Sequence, residues 1–395
     1  MNIDCTLLAN VRLAGGPNVD IRMTGGVIES IGPGLEPSGA AVIDGAGLLV
    51  LPGMIDGHVH LDKTLTGLPW FPYPAGPSRA SRIATERGLR AQFPPPAQRA
   101  SNLVRKAVAA GTTAFRSHAD IGPDIGVRHV EALLEVRAAF AHAADFQVVA
   151  FPQYGVLAAP GTYELMDEAL AMGADLVGGI DPIVQDGDLD GQLDLLFRLA
   201  EKHGAGIDPH IHDPGEPGRK EIAALAARAR AAGLEGRVTV SHGFCLGACS
   251  VADLDRLSGA MAEAGMSLVT HGGGASPLPP VKKLRERGVE VFVGNDDVRD
   301  TWAPYGNGDL LVRTMLLSWR SGFRTDDDLA VAFDCTTSAA RRVLGHDDRG
   351  IAVGAPADLF TVHAETLGEA VAQHPPRGVV FKRGRLVARD GVYLE

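Results

Sequence analysis

Two histidines stand one residue apart in the stretch GMIDGHVHLDKTL, which covers residues 53–65 and begins within an apolar run. Side chains at positions i and i+2 of a strand lie on one face, so His58 and His60 are expected to point the same way. A divalent metal ion would satisfy both buried rings at once. The pair alone is a weak indication of a metal site, because such a site needs further ligands from elsewhere in the chain.

Polar residues stand at the ends of eight apolar segments: LPGMIDGHVH, TTAFRSHAD, QVVAFPQ, DLVGGIDP, GIDPHIHD, RVTVSHG, SLVTHGG and VEVFVGND. In chain order they are His58 and His60, Ser117 and His118, Gln153, Asp181, His210 and His212, His242, His271, and Asp296. Packing alone hardly explains a histidine at nearly every segment end. In a closed barrel His210 and Asp296 would join the first pair, and three imidazoles with one carboxylate suit Zn²⁺ or Fe²⁺ with a position left for water.

Alanine-rich stretches with helical spacing, such as KEIAALAARARAAGL, separate the apolar segments. Eight strands alternating with helices predict an α/β fold, a (β/α)₈ TIM-like barrel, over residues 51–349. Active sites of this barrel lie at the carboxyl ends of the strands, where the polar residues cluster. The insert GLPWFPYPAGPSRASRIATERG, at residues 67–88, is predicted to be a loop over the barrel mouth.

Both ends of the chain differ from its middle, because they read as short strands separated by glycine turns. An isolated two- or three-stranded piece would be marginally stable, so the two ends are expected to pair. The sequence therefore predicts a small β-sandwich domain formed by residues 1–50 together with residues 350–395.

Composition narrows the class of protein. The chain has 395 residues, 45% hydrophobic and 22% charged, with a formal net charge of -11 and no run of Lys or Arg. This argues against binding to nucleic acid or to an anionic membrane surface. The start MNIDCTLLAN shows no secretory signal and no apolar stretch is long enough to cross a bilayer. The four scattered cysteines predict no disulfide framework, and hence a cytoplasmic protein.

The pattern HVHLD, a later DPHIH, an SH and GNDDVRDTW resembles the amidohydrolase superfamily, in particular its cytosine-deaminase-like branch, over essentially the whole chain. The stretches HLDK, DLVGGIDP, HIHDPG, GRVTVSHGFC and DVRDTWAPYGNGD are most similar to branch members that act on alkylamino-s-triazines. The resemblance implies a hydrolase of C–N bonds other than peptide bonds. Such an enzyme releases ammonia or an alkylamine from a pyrimidine- or s-triazine-like ring by means of metal-activated water.

The resemblance also implies one divalent ion per subunit, Zn²⁺ or Fe²⁺ with Mn²⁺ as an alternative, held by His58, His60, His210 and Asp296. Many superfamily members bridge two metals with a carboxylated lysine, but the third and fourth strands end here in Gln153 and GGIDP, which favours one metal. Asp296 would also accept the proton of the attacking water. His242 is either a fifth, distant ligand or a hydrogen-bond partner of the water or the tetrahedral intermediate.

The proton donor is expected to differ from that of cytosine deaminase. That enzyme has a glutamate three residues after the histidine of strand five, and this chain has Asp213 there. His212 lies on the same face as His210, so it is predicted to protonate the ring or the leaving group, with Asp213 as its orienter. The alternative is that His212 supports His210. The change puts cytosine itself in doubt as the substrate.

Four residues are candidates for substrate binding: Gln153, Lys63, Trp302 and Asp297. The amide of Gln153 can donate and accept at once, which suits a lactam edge. Lys63 either contacts a substrate oxygen or is a surface lysine. Trp302 and Tyr305 would form an apolar wall or pack their own loop. Strand alternation turns Asp297 away from Asp296, toward the loop or a neighbouring histidine, or into a strand-end cap.

Other readings remain open. Ring opening of a cyclic amide, as in dihydroorotase or hydantoinase relatives, usually needs the bridged metal pair, and a non-catalytic barrel would have broken ligand positions. The spacing of His242, Cys245 and Cys249 lacks a fourth ligand for structural zinc. GGGASPLP lacks the GK[ST] of a phosphate loop. No role is assigned to His118. The expected partners are a small N-heterocyclic substrate and further copies of the chain in a homo-oligomer.

Overall fold

The computed structural model describes residues 5–72, 76 and 78–395, so residues 1–4 of the predicted sandwich segment lie outside the described residues. Short strands with glycine turns begin the chain: β1 (Cys5–Arg12), β2 (Asn18–Thr24), β3 (Val27–Gly32), β4 (Ala41–Asp44) and β5 (Leu49–Pro52). β1 pairs antiparallel with β2 and parallel with β4.

The eight predicted barrel segments are all strands: β6 (Met54–Val59), β7 (Thr112–Asp120), β8 (Asp145–Phe151), β9 (Leu176–Ile180), β10 (Gly206–Ile211), β11 (Thr239–His242), β12 (Ser267–Thr270) and β13 (Glu290–Val293). Neighbours pair in parallel and in chain order. Beyond β13, the amide of Asp296 donates to the carbonyl of His58 at 2.7 Å, beside a bridge between Val59 and Asp296. This contact brings the last strand end against the first and closes the predicted barrel.

The two ends of the chain meet in one sheet, as predicted. Its C-terminal strands are β14 (Leu359–Val362), β15 (Arg377–Lys382), β16 (Arg385–Arg389) and β17 (Val392–Tyr393). Within the described residues this mixed sheet has nine strands in the order β17-β16-β15-β14-β5-β1-β2-β3, with β4 on β1. The antiparallel pairing of β5 with β14 joins the terminal segments. The segment LPGMIDGHVH is thus divided at Gly53, because its first residues belong to this sheet and its last to the barrel.

Helices cover the barrel strands: α1 (Arg79–Leu89), α2 (Pro96–Ala109), α3 (Arg128–Ala139), α4 (Thr162–Met172), α5 (Leu189–His203), α6 (Gly215–Ala231), α7 (Val251–Glu263), α8 (Val281–Glu286), α9 (Leu310–Ser321), α10 (Asp326–Asp334), α11 (Ser338–Leu344) and α12 (Leu367–Gln373). Short 3₁₀ turns occupy Arg90–Gln92 and Phe244–Ala248. Across the described ranges no helix combines the length and apolar character that a membrane span requires.

The insert after β6 differs from its prediction as a loop, because its second half is helix α1. Ser78 caps this helix in a capping box with Ser81, and the sequence after Pro77 contains no further proline until the helix has ended. Part of the insert, residues 73–75 and 77, lies outside the described residues. α1 reaches the barrel mouth, where the Arg79 guanidinium pairs with Asp181.

Closure of the barrel depends on a glycine at position 294. A Cβ there would lie 2.3 Å from the backbone nitrogen and oxygen of His58, which cannot move without opening the barrel. We expect Gly294→Ala to lower the free energy of unfolding by about 3 kcal/mol. Gly259→Ala is the matched control: Gly259 lies in α7 with nothing within 4 Å, so the change should be neutral or stabilise by up to about 1 kcal/mol. Urea unfolding measures both, and equal effects would contradict the prediction.

Candidate active site

The three predicted histidine ligands and Asp296 lie together at the carboxyl ends of the barrel strands. Ring nitrogens of His58, His60 and His210 all lie within 4.8 Å of one another. Asp296 Oδ1 is 3.4 Å from His58 Nε2 and 3.5 Å from His60 Nε2, and the Nε2 atoms of His60 and His210 are 3.3 Å apart. The structure therefore brings this whole predicted set to one point.

A chain of hydrogen bonds at Nδ1 fixes the orientation of the His58 ring. Its Nδ1 donates to Ser241 Oγ at 2.9 Å, and the Ser241 hydroxyl donates in turn to Asp208 Oδ1 at 2.6 Å. Arg116 holds the other oxygen of Asp208 at 2.9 Å. This chain places the proton on Nδ1 and leaves Nε2 as a lone-pair donor aimed at the mouth, an arrangement common behind metal-binding histidines.

The chemistry of the cluster fits a divalent ion. Burial holds the pKa values of His60 and His210 well below the ordinary value, so both rings are neutral and able to ligate. The buried Nε2 of His58 has no hydrogen-bond partner among the described residues. Burial would raise the pKa of Asp296, but His242 and His58 outweigh it and keep this group a carboxylate. The neutral rings of His60 and His210, the Nε2 lone pair of His58 and one carboxylate match the preferences of Zn²⁺ and Fe²⁺.

Three residues at the mouth adopt left-handed backbone conformations, which residues other than glycine rarely adopt. They are Asp181 (φ 33°), His242 (φ 73°) and Asp296 (φ 60°), each at or just beyond the end of a barrel strand. Such conformations cost about 1–3 kcal/mol each and cluster at functional sites. Here they turn the three side chains out of strand alternation and toward the mouth.

His212 lies beside the cluster, but a different aspartate orients it from the one predicted. Its Nδ1 is 2.7 Å from Asp181 Oδ2, and its backbone N–H also donates to Asp181. Asp213 does not fill this role, because its carboxyl lies on the side of Glu221 and its Oδ2 has no partner among the described residues. The prediction of Asp213 as orienter is wrong. The positive φ of Asp181 turns its carboxylate under the ring of His212, which a regular strand would not do.

Lys63 is buried, not a surface lysine. Its Nζ donates to Gln153 Oε1 at 2.5 Å and lies 3.0 Å from Asp120 Oδ1. It also lies 5.2 Å from the ring centroid of Trp302. Burial disfavours its charge, but the carboxylates of Asp120 and Glu86 outweigh burial and raise the pKa of Lys63 above its ordinary value. Lys63, Gln153 and Trp302 thus form one wall of the inner pocket, which is also lined by three of the predicted ligands, His60, His210 and Asp296, and by His212.

Asp297 lines the same pocket as Asp296, so the expectation that the two face opposite sides is wrong. The alternation rule fails because β13 already ends at Val293. Burial raises the pKa of Asp297 well above its ordinary value, and the neighbouring carboxyls of Asp300 and Asp296 add to this effect. The Asp297 carboxyl also shares a hydrogen bond with Asp300 in the loop after β13, and the loop was one of the partners expected from the sequence.

The inner pocket opens into an outer chamber of about 790 Å³, lined by Phe244, His271, Tyr305 and Arg313 among others. His271 Nε2 lies 3.8 Å from Asp296 Oδ2. Tyr305 is 77% exposed, so it borders the chamber without closing it. The space exceeds what ammonia needs, which leaves room for a substituted amine.

The remaining histidines at the mouth have distinct settings. The His242 ring stacks on that of His212 at 4.4 Å, and both its nitrogens lack partners among the described residues. Cys249, which the sequence places near His242 and Cys245 at a spacing considered for zinc, donates a hydrogen bond from Sγ to the Cys245 carbonyl. His118 packs behind the cluster, 4.1 Å from the ring of His58 and 4.7 Å from that of His210.

Some site residues were not found from the sequence. Glu86, Arg79 and the Ser241–Asp208–Arg116 chain carry no local motif, and Asp181 was noted only as a strand-end residue. A signal was available for Asp208, since it stands two residues before a predicted ligand on the same strand face, where a supporting carboxylate fits.

Proteins similar to this chain in sequence and structure agree with the fold and the site geometry. A model of the amidohydrolase family matches residues 82–388. N-isopropylammelide isopropyl amidohydrolase of Pseudomonas sp. is 34% identical over 387 residues, 95% of this chain and 94% of that protein. The crystal structure of N-isopropylammelide isopropylaminohydrolase from Burkholderia multivorans superposes with a TM-score of 0.95 at 43% identity, covering 99% and 100% of the two chains. 5-Methylcytosine deaminase from Klebsiella pneumoniae, liganded with 5-fluorocytosine, gives a TM-score of 0.86 at 27% identity over 99% of both chains.

Proposed function

The chain belongs to the amidohydrolase family, as its motifs predicted, and we propose that it releases ammonia or an alkylamine from a pyrimidine- or s-triazine-like ring. One observation carries the proposal. A buried set of metal-ligating donors, His58, His60, His210 and Asp296, stands beside a histidine held by a carboxylate and shares its pocket with a wall that recognises polar ring edges.

We propose that the four donors hold one ion, Zn²⁺ or Fe²⁺ with Mn²⁺ as an alternative. When bound, such an ion supplies Lewis acidity and lowers the pKa of water to about 7 in favourable sites. A second ion bridged by a carboxylated lysine is disfavoured, because β8 is followed by Pro152 and Gln153 and β9 by Asp181. The same feature disfavours the cyclic-amide alternative.

The protein's own residues then move the protons. Asp296, whose pKa lies well below its ordinary value, accepts a proton from the attacking water as a carboxylate. His212 gives the leaving nitrogen the proton without which an amine leaves poorly. Asp181 accepts from Nδ1 of His212, which leaves Nε2 free to face the substrate. We propose that His242, with two unpaired nitrogens, bonds the oxygen that develops on the attacked carbon.

The wall formed by Lys63, Gln153 and Trp302 is rich in hydrogen-bond donors. Lys63 donates to Gln153 Oε1 and occupies one of its two lone pairs, so the Gln153 N–H group and the Lys63 ammonium supply most of the hydrogen-bonding capacity of the wall. Such an edge fits carbonyl oxygens or a deprotonated ring nitrogen. An amino group at this position would place its N–H donors against the N–H donors of the wall, and no hydrogen bond would form.

Substrate preference tests this reading of the wall. We expect a ring whose reacting amine is accompanied by two carbonyl groups, such as ammelide, to exceed its counterpart with one carbonyl replaced by an amine by about 10²-fold in kcat/KM, because one donor would lose its partner. The two rings can be compared under identical metal loading. Equal kcat/KM values would contradict a wall that mainly donates hydrogen bonds.

The experiment that tests the function itself uses metal-depleted protein reloaded with Zn²⁺, Fe²⁺ or Mn²⁺. Ammonia and amine release is then measured on cytosine, isocytosine, ammelide, N-alkylammelides and methylated cytosines, with a dihydropyrimidine and a hydantoin as ring-opening controls. Release from an aminated ring supports the proposal. Turnover of the controls alone would replace it with cyclic-amide hydrolysis.

We further propose a cytoplasmic homo-oligomer with the two domains outlined from the sequence. All four cysteines are free, which fits a reducing compartment. Trp319 on α9 is 79% exposed, and a large aromatic side chain of this kind is suited to burial between subunits. Light scattering of the wild type and of Trp319→Ser tests the assembly.

A further inference from the structure

Glu86 is the one buried residue of α1, a helix that the structure describes in full. Surface helices ordinarily bury an apolar stripe, whereas this one buries a carboxylate. A buried carboxylate needs partners, because an unpaired charge away from water is strongly unfavourable. The partners of Glu86 therefore show what docks α1 against the barrel.

Three groups surround the Glu86 carboxylate. Oε2 accepts the indole N–H of Trp302 at 2.5 Å and lies 3.8 Å from Lys63 Nζ, and Oε1 lies 3.6 Å from the guanidinium of Arg90. Lys63 and Trp302 line the inner pocket, but Glu86 is not among its lining residues. Any effect of Glu86 on substrate must therefore pass through these neighbours.

Charge balance alone does not account for Glu86. Lys63 has a nearer carboxylate in Asp120, at 3.0 Å, and Arg90 has one in Asp124, also at 3.0 Å. Among the described residues, the indole nitrogen of Trp302 bonds to Glu86. Trp302 stands beyond β13 in a segment without helix or strand, so this bond from another part of the chain fixes its ring.

We propose that Glu86 is a positioning residue for ring recognition, which holds the Trp302 indole beside Lys63 so that the wall forms only while α1 is docked. The inference rests on the proposed function. It makes the insert a determinant of substrate binding although Glu86 itself stays out of the pocket.

A double-mutant cycle on the metal-loaded enzyme tests the coupling, with Glu86→Ala, Trp302→Phe and the double variant. We expect Glu86→Ala to raise KM about tenfold with little change in kcat, because a binding wall is lost while the reacting groups remain. The double variant should have the KM of the more impaired single variant. Glu86→Gln should stay near wild type, because its amide oxygen still accepts the indole N–H. Gly88→Ala, on the open side of α1 with nothing within 4 Å, is the control.

A second measurement needs no turnover. In a Trp70→Phe/Trp319→Phe background, Trp302 is the remaining tryptophan, and its emission should shift to longer wavelength in Glu86→Ala but not in Glu86→Gln. Any one of three results would overturn the inference. The first is a double variant whose increase in KM equals the product of the two single increases, and the second is a KM for Glu86→Gln as high as that for Trp302→Phe. The third is an unchanged emission wavelength in Glu86→Ala. If Glu86→Ala does not fold, the Glu86→Gln and Trp302→Phe comparison decides. A wild type inactive on every aminated ring would defeat the proposed function, while the emission result would still decide the role of Glu86.

Discussion

Asp296→Ala should lower kcat/KM by about 10⁴-fold or more and reduce the bound metal to well below one ion per chain. The carboxylate contacts the ring nitrogens of both His58 and His60, so its loss removes one of the four proposed ligands and opens a gap beside the other three. It also removes the group proposed to accept the water's proton, a role that contributes about 10²–10⁴-fold by itself. Metal content by elemental analysis and steady-state kinetics measure the two effects separately.

The control for this change is Asp327→Ala, at an exposed position in the first turn of α10. This change also removes one aspartate carboxylate, but from the protein surface, so metal content and kcat/KM should stay unchanged. Asp296→Asn distinguishes the two roles of Asp296, because the amide keeps a ligand oxygen but is not a base. If Asp296→Ala retained wild-type turnover, both the ligand assignment and the proton path would be wrong.

The clustering of the proposed ligands could be predicted from the sequence because it depends on two regularities of strands and barrels. Alternation along β6 places His58 and His60 on one face, because His60 directly follows the last strand residue and its backbone N–H still pairs with the carbonyl of Asp296. Parallel strands of a barrel also bring their carboxyl ends to one edge. Both rules hold wherever the chain is a regular strand. His210, within β10, obeys them for the same reason.

The rules fail where the strand has ended or the partner comes from a distant segment. Asp297 follows a left-handed residue beyond β13, so alternation has no meaning there. The Glu86–Trp302 bond joins residues 216 apart in the chain, and no spacing within either segment indicates it. Asp181 was visible as a strand-end residue, but its pairing with His212 depends on a backbone conformation that the composition does not reveal.

His212→Asn should lower kcat by about 10²–10⁴-fold for an alkylamine leaving group while leaving bound metal unchanged, because His212 is proposed to give the leaving nitrogen its proton. A ring that carries chloride in place of the amine supplies the discriminating measurement. Chloride leaves without a proton, so His212→Asn should lose far less activity on that ring.

Asp181→Asn extends the same argument to the residue that holds the His212 ring. The amide replaces a carboxylate 2.7 Å from Nδ1, which weakens both the orientation of the ring and the stabilisation of its protonated form. We expect a loss of about 10–100-fold on the amine and a smaller one on the chloride. An equal loss on both leaving groups in His212→Asn would show that the ring binds substrate instead of donating the proton. The donor would then have to be sought among the other titratable groups of the pocket, first Asp297, whose pKa is raised by burial.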